Sequence, residues 1–217
     1  MKIALIGASG FVGTAILKEA LDRGHQVKAI VRNPENITIK DDNITVIKAD
    51  VLDQAQVTAA VVGSDAVVSA YNPGWSNPDI YEEFLRGSQS IQAGIKASGV
   101  KRYIVIGGAG SLEVAPGLQA VDTPDFPAAI KPGASAARDY QAIIKKEQDL
   151  DWTFFSPAFE MHQGTSGIRK GTYRTGLDNP VFDENGRSIL SVEDLAMAIV
   201  DELENPKFIK KRFTTAY

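Results

Sequence analysis

The stretch from Met1 to Arg32 constrains the fold of this chain more than any other. A short apolar run, Ile3-Ala4-Leu5-Ile6, meets a glycine turn, Gly7-Ala8-Ser9-Gly10-Phe11-Val12-Gly13. An amphipathic segment follows, then a second apolar run from Val27 to Val31, then an arginine. Strand, glycine turn, helix and strand in this order make a βαβ unit whose helix starts at the end of its first strand. Gly7 ends the strand where the backbone turns tightly. Gly10 stands where a side chain would collide with a bound pyrophosphate, and Gly13 lets the helix lie close to the sheet. The unpaired N–H groups at the helix start, around Ser9, Gly10, Phe11 and Val12, favour a diphosphate. The expected ligand is a dinucleotide.

Apolar runs alternate with helical patterns through the rest of the chain. Strands are predicted over 2–6, 26–31, 44–48, 66–70, 103–106 and 153–155, and helices over 11–23, 54–62, 79–98, 134–149 and 192–204. The strands are rich in Val and Ile and nearly continuous in hydrophobicity, as strands buried on both faces of a parallel sheet are. The expected fold is α/β: a doubly wound, Rossmann-type parallel sheet in one domain over residues 1–217, with right-handed crossovers. Two irregular stretches stand out. Residues 114–133 carry Pro116, Pro124, Pro127 and Pro132, and residues 157–188 are rich in Gly, Thr, Arg and Asn. Both follow late strands, so both are expected at the carboxyl edge of the sheet as walls of a substrate pocket. The helix at 79–98 bears a stripe of Tyr81, Phe84, Leu85, Ser88, Ile91, Gln92 and Ile95 that packs on the sheet. The same helix can pair two copies in sheets of this type, so monomer and homodimer both remain open.

Composition excludes several classes. A net charge of −4 disfavours a nucleic-acid surface. The basic cluster Lys207, Lys210, Lys211 and Arg212 reads as a solvated edge. The absence of cysteine removes disulfides, thiolate zinc sites and a cysteine nucleophile. His25 and His162 have no partner at metal-ligand spacing, so no metal site is expected. The apolar run before Gly7 is too short for a signal peptide or a membrane span, which makes the cytoplasm the default location and a membrane partner unexpected.

The strand ends carry the remaining chemistry. Arg32 stands where NAD-preferring sites place an acidic residue for the ribose hydroxyls, and an arginine there can pair with the 2′-phosphate of NADP. NADPH is therefore expected over NADH. Asp50 either accepts from the adenine amino group, with Val51 against the ring, or serves the start of the following helix. Asp53 is placed to cap that helix at Gln54. Small residues at Ser69 and Ala70 let the chain run beside the ribose. Tyr71 either stacks near the nicotinamide or covers the sheet edge. Gly107, Gly108 and Gly110 leave room for a planar ring. Ser111 is either a hydroxyl at the height of the nicotinamide or a turn-stabilising serine.

A carbonyl-reducing site of this architecture pairs a tyrosine with a lysine four residues on. Here Tyr140 is followed by Lys145, at a spacing of five. Positions five apart diverge by about 140° around a helix, so Lys145 should not share Tyr140's face. Tyr140 is then either a lone proton donor or a helix tyrosine packed beside the pocket.

With these residues in hand, the chain resembles the atypical short-chain dehydrogenases of the NmrA-like and NAD(P)H-flavin reductase type, a group similar to biliverdin reductase B. The resemblance rests on Lys2 to Gly10, Val31-Arg32-Asn33-Pro34, Gly107 to Leu112, Asp151 to Ala158 and Ser191 to Ala196. It implies that Gly7, Gly10 and Gly13 hold the diphosphate, Arg32 the 2′-phosphate, and Asp50 and Val51 the adenine. It places Ser69, Ala70 and Tyr71 along the ribose and Pro157, Ala158 and Phe159 at the nicotinamide carboxamide. A flavin reductase stacks its acceptor on the nicotinamide and needs no Tyr–Lys pair. The expected activity is hydride delivery from NADPH to a small planar acceptor, a flavin or quinone. The alternatives are a sugar epimerase or carbonyl reductase using Tyr140, and a non-catalytic NADP-binding redox sensor.

Overall fold

The computed structural model describes all 217 residues. Strand β1 (Lys2–Ile6) leads into helix α1 (Phe11–Asp22). The chain continues through β2 (Gln26–Val31), β3 (Ile44–Lys48), α2 (Gln54–Val61), β4 (Ala66–Ser69), α3 (Ile80–Ser98) and β5 (Arg102–Ile106). A hairpin of β6 (Glu113–Ala115) and β7 (Leu118–Gln119) precedes α4 (Lys131–Ile144). Then come β8 (Asp151–Ser156), β9 (Arg174–Gly176), α5 (Val192–Glu204) and β10 (Lys211–Ala216). The main sheet has the order β3-β2-β1-β4-β5-β8-β10-β9, parallel throughout except for the β10–β9 pair. Its winding reverses between β1 and β4. The chain steps outward from β1 to β3, returns to the other side of β1, and steps outward again. That reversal opens a crevice at the carboxyl ends of β1 and β4.

Side-chain alternation explains why the sheet is covered on both sides. In β1, Ile3 and Leu5 join one core while Ala4 and Ile6 join the other; in β5, Ile104 and Ile106 separate in the same way from Tyr103 and Val105. Helices α1 and α5 close the first face with Ile16, Leu17, Leu195 and Ile199. Helices α2, α3 and α4 close the second with Val57, Phe84, Ile91, Ile95 and Ile144. Each such aliphatic side chain contributes roughly 1.5–3 kcal/mol on burial. Asp53 caps α2 as its position foretells, its carboxylate accepting the N–H groups of Ala55 at 2.9 Å and Gln56 at 3.2 Å. Ser191 Oγ caps α5 by accepting from Asp194 N–H at 3.1 Å. Helix α1 starts at Gly10 with no side-chain cap.

Four features differ from expectation. Helix α4 begins at Lys131 rather than Ala134, because Pro132 lies in its first turn, where a missing N–H costs nothing. It ends at Ile144, where Glu147 redirects the chain by accepting Asp149 N–H at 2.7 Å and, at its carbonyl, Trp152 Nε1–H at 3.2 Å. The 114–133 stretch is not structureless, since it holds the β6–β7 hairpin and the first turn of α4. The basic cluster near the C-terminus is a solvated edge at Lys207, Lys210 and Lys211, all exposed, but not at Arg212. It opens β10, whose Phe213 aligns with Phe155 of β8. Arg212 is 4% exposed; its guanidinium donates to Ser111 O and forms an ion pair with Asp178. Successive residues of a strand face opposite sides, so one member of a charged cluster was driven inward.

The 157–188 segment is tied down at several points. β9 pairs with β10, and the N–H groups of Lys170 and Gly171 donate to the Asp194 carboxylate at 2.8 and 3.0 Å. Arg169 clasps Glu19 of α1, and Arg187 pairs with Glu160. No helix is long and apolar enough to cross a membrane.

Candidate functional site

The crevice at the carboxyl ends of β1, β2, β4, β5 and β8 encloses a cavity of about 1310 Å³. The order of the strands orders its contents. Arg32, Asn33, Asn36, Ala49 and Val51 line one end, beyond β2 and β3. Gly7, Ser9, Gly10, Phe11 and Val12 line the middle, at the start of α1. The far end is formed by Ala70, Tyr71 and Trp75 after β4, Gly107 to Gly110 after β5, and Pro157 to Phe159 after β8. Both irregular stretches contribute walls there: Val114, Phe126 and Ile130 from one, Met161 and His162 from the other.

Each wall has a local cause. Gly7 adopts φ +78°, and a Cβ on it would stand 2.7 Å from Ala70 O, so both the turn and the neighbouring strand require glycine. A Cβ on Gly13 would stand 2.0 Å from Gly7 O, which makes that glycine a packing residue within the turn, off the cavity. Gly10 is different. Its Cβ would meet nothing closer than Gly7 O at 3.4 Å, an ordinary contact, so the protein itself does not demand glycine there. Arg32 is exposed in the cavity and forms no ion pair with the protein. Tyr71 is held by its hydroxyl, which donates to Glu83 O at 3.1 Å, and by stacking on Phe84 at 6.1 Å. Burial and the Glu83 carboxylate push the Tyr71 phenol up to about 12. Its ring forms part of the cavity wall.

Five of the residues expected in the site lie off the cavity. Tyr140 is fully buried; its hydroxyl donates to Gln92 Oε1 at 3.2 Å and lies 3.5 Å from that of Tyr103. Helix α4 starts at the carboxyl edge and runs back across the sheet, so Gly133, Ala134 and Ala137 reach the cavity while the next turn lies too deep. Burial pushes the Tyr140 phenol well above its ordinary range, so the hydroxyl stays protonated in the core. Ser111 is also fully buried, its Oγ donating to Gly108 O at 3.1 Å and its carbonyl taken by Arg212. Ser69 is buried beneath Tyr71, and its Oγ accepts Tyr71 N–H at 3.4 Å. The Asp50 carboxylate braces its own turn by accepting Leu52 N–H at 3.0 Å. Gly13 completes the five. Nor does Gly107 owe its small size to a ligand, because a Cβ there would stand 2.0 Å from Cζ of Phe154.

The residues that the sequence reading missed cluster at the far end. Trp75 is 60% exposed and rests on Gly133, where a Cβ would come within 2.8 Å of the indole. Phe126, Ile130, Met161, Asp125 and His162 join it from connections with no local motif. The signal available was position, since the 114–133 and 157–188 stretches are expected as pocket walls; Trp75, after β4, lies outside both.

A family model described as NAD(P)H-binding matches residues 7–206. The chain belongs to the NAD(P)H-binding family. Among relatives of this member, the uncharacterized protein YwnB of Bacillus subtilis is 38% identical over 217 residues, covering 99% of this chain and 97% of that one. A solved structure from Bacteroides thetaiotaomicron, provisionally named an epimerase, superposes with a TM-score of 0.92 at 47% identity, covering 100% and 96% of the two chains. Another from Streptococcus pneumoniae, provisionally named an NADH-flavin reductase, gives 0.85 at 35% identity, covering 100% and 99%. The two names describe different chemistries on one fold, so the chemistry has to be argued from the site.

The residues present fit an NAD(P)H. Helix α1 turns an N-terminus without a side-chain cap towards the cavity, with no acidic side chain in its first turn. Backbone N–H groups and a helix dipole so placed suit a diphosphate, and the open face of Gly10 leaves it room. Val51 and Ala49 offer an apolar seat at the Arg32 end.

Proposed function

We propose that this protein is an NADPH-dependent oxidoreductase that delivers hydride to a planar acceptor, a flavin or a quinone. The observation that carries the reading is the far end of the cavity. It is broad, walled by Trp75, Phe126, Ile130 and Phe159, and has no tyrosine–lysine pair, because Tyr140 is buried in the core. Aromatic and aliphatic walls suit a flat, conjugated ring and exclude water from it. When bound, the reduced nicotinamide supplies the hydride. The chain's own part is placement. The start of α1 receives the diphosphate, Arg32 the 2′-phosphate, and Pro157 to Phe159 the carboxamide end, leaving the acceptor between the walls. Such alignment of two rings is worth several orders of magnitude without an acid or base.

Tyr140's burial weighs against the epimerase reading that one structural relative's name suggests. The preference for NADPH rests on Arg32, which stands in the cavity without an ion-pair partner. Consumption of NADPH and of NADH is followed with FMN, FAD and a soluble quinone. Turnover is expected with at least one of them, faster with NADPH. Arg32→Ala should lower kcat/KM for NADPH by about 10–100-fold, the worth of a charge-assisted hydrogen bond, and leave NADH unaffected. An unchanged NADPH/NADH ratio removes Arg32 from phosphate binding. Tight NADP binding with no turnover on any acceptor favours a redox sensor instead.

A further inference from the structure

The cavity lining contains four titratable side chains: Arg32, Tyr71, Asp125 and His162. Arg32 belongs to the end beyond β2, and the Tyr71 hydroxyl is spent on Glu83 O. His162 stands on the segment that follows β8, three residues beyond Phe159, at the acceptor end. The imidazole is exposed at the cavity and anchored through one ring nitrogen. Gly164 N–H donates to Nδ1 at 3.0 Å. The backbone on either side is locked by Thr165, whose Oγ1 accepts His162 N–H at 3.1 Å and lies 3.1 Å from Leu190 O as donor. Residue 164 must be small for this ring position, since a Cβ there would stand 2.9 Å from Cε1 and 3.0 Å from Nδ1. An imidazole whose Nδ1 accepts a backbone N–H carries its proton on Nε2. That Nε2–H has no partner in the protein. Gln163 beside it has an amide, but no protein contact fixes it.

We infer that His162 is an anchored hydrogen-bond donor to the acceptor, holding the atom on which negative charge accumulates as hydride arrives. The inference rests on the reductase reading above. On accepting hydride at N5, an oxidised flavin gains two electrons and one negative charge, which settles on its N1–C2=O edge; a quinone gathers the same charge on oxygen. Nε2–H donates to that edge or oxygen and keeps its proton. Any proton the product takes up comes from water. The role is that of a preorganised donor aimed at developing charge, which is effective because nothing has to reorganise during the reaction.

The test uses both binding and rate. In imidazole 1H–15N spectra of the NADP-saturated protein, FMN or a soluble quinone should shift the His162 Nε2 resonance. The His25 ring, buried between the amino terminus and Glu204, should serve as an unmoved control. His162→Ala should lower kcat with the same acceptors about a hundredfold, the usual cost of one such donor, with NADPH affinity within about twofold. His162→Gln, which restores an N–H near Nε2, should recover roughly tenfold of the loss. Gly164→Ala should displace the ring and lower kcat while His162 itself remains. An Nε2 resonance that neither acceptor moves, or a His162→Ala rate equal to wild type, overturns the assignment. A resonance that moves without any consumption of NADPH supports the contact and overturns the reductase reading alone.

Discussion

Replacing Tyr140 by Phe separates a site tyrosine from a core tyrosine. The substitution removes one hydroxyl and leaves the ring edge-on to Phe84 at 6.5 Å. The lost bond is the donation to Gln92 Oε1 at 3.2 Å, together with a 3.5 Å contact to the Tyr103 hydroxyl. Gln92 is half-buried, so water can reach its freed oxygen. The expected cost is that of one ordinary buried hydrogen bond, about 1 kcal/mol. For a chain of this size that corresponds to a fall in Tm of roughly 2–4 °C. A catalytic proton donor would behave differently. Its loss slows the chemical step by about 10²–10⁴-fold, or roughly 3–5 kcal/mol in the barrier. Urea melts report the first quantity, and NADPH consumption at saturating acceptor reports the second. The expected pair is a small shift in the melt and an unchanged kcat. A rate loss beyond a hundredfold with an unmoved melt would refute the placement of Tyr140 in the core and restore the epimerase reading.

Two further outcomes follow from the packing. Burial opposes ionisation of Glu147, but Asp149 N–H, Gln92 and Lys96 hold its carboxyl at about 2, against an ordinary 4.5. A folded value below the unfolded one stabilises the native state above the unfolded value and loses that contribution as pH falls through the folded one. Glu147→Gln should therefore cost roughly 3 kcal/mol at neutral pH, and the gap to wild type should close between about pH 5 and pH 2 in acid melts. A gap that persists unchanged at the acid end contradicts the linkage. Gly107→Ala should destabilise by about 1–3 kcal/mol through overpacking, since its Cβ would overlap the Phe154 ring at 2.0 Å. A neutral melt for that variant would mean that Phe154 has room to move.

The βαβ opening was legible because its signals are local. β1, β2 and β3 cover the ranges predicted for them, 2–6, 26–31 and 44–48, and Asp53 caps α2 from the position its place before Gln54 predicts. The glycine turn and Arg32 were legible for the same reason, being fixed by the end of a strand and the start of a helix. For Tyr140 and Ser111 two readings stayed open in the sequence, because their heights depend on how far α4 and the post-β5 turn descend across the sheet. No spacing in the sequence encodes that depth. β9 was invisible as three polar and small residues, and β10 was hidden behind its basic opening.

Hydrophobic periodicity and turn chemistry alone determined the doubly wound sheet and the glycine turn at the start of α1; the strand order, with its reversal between β1 and β4, came from the structure. Tertiary structure decided the rest. It spent Gly107 on Phe154, drew Arg212 inward to Asp178 and Ser111, sank Tyr140 beneath the cavity floor, and brought Trp75, Phe126 and His162 together from three separate connections. Strand and helix formation follow from neighbours in sequence, whereas an acceptor site is assembled by loops whose conformations are set by what they pack against.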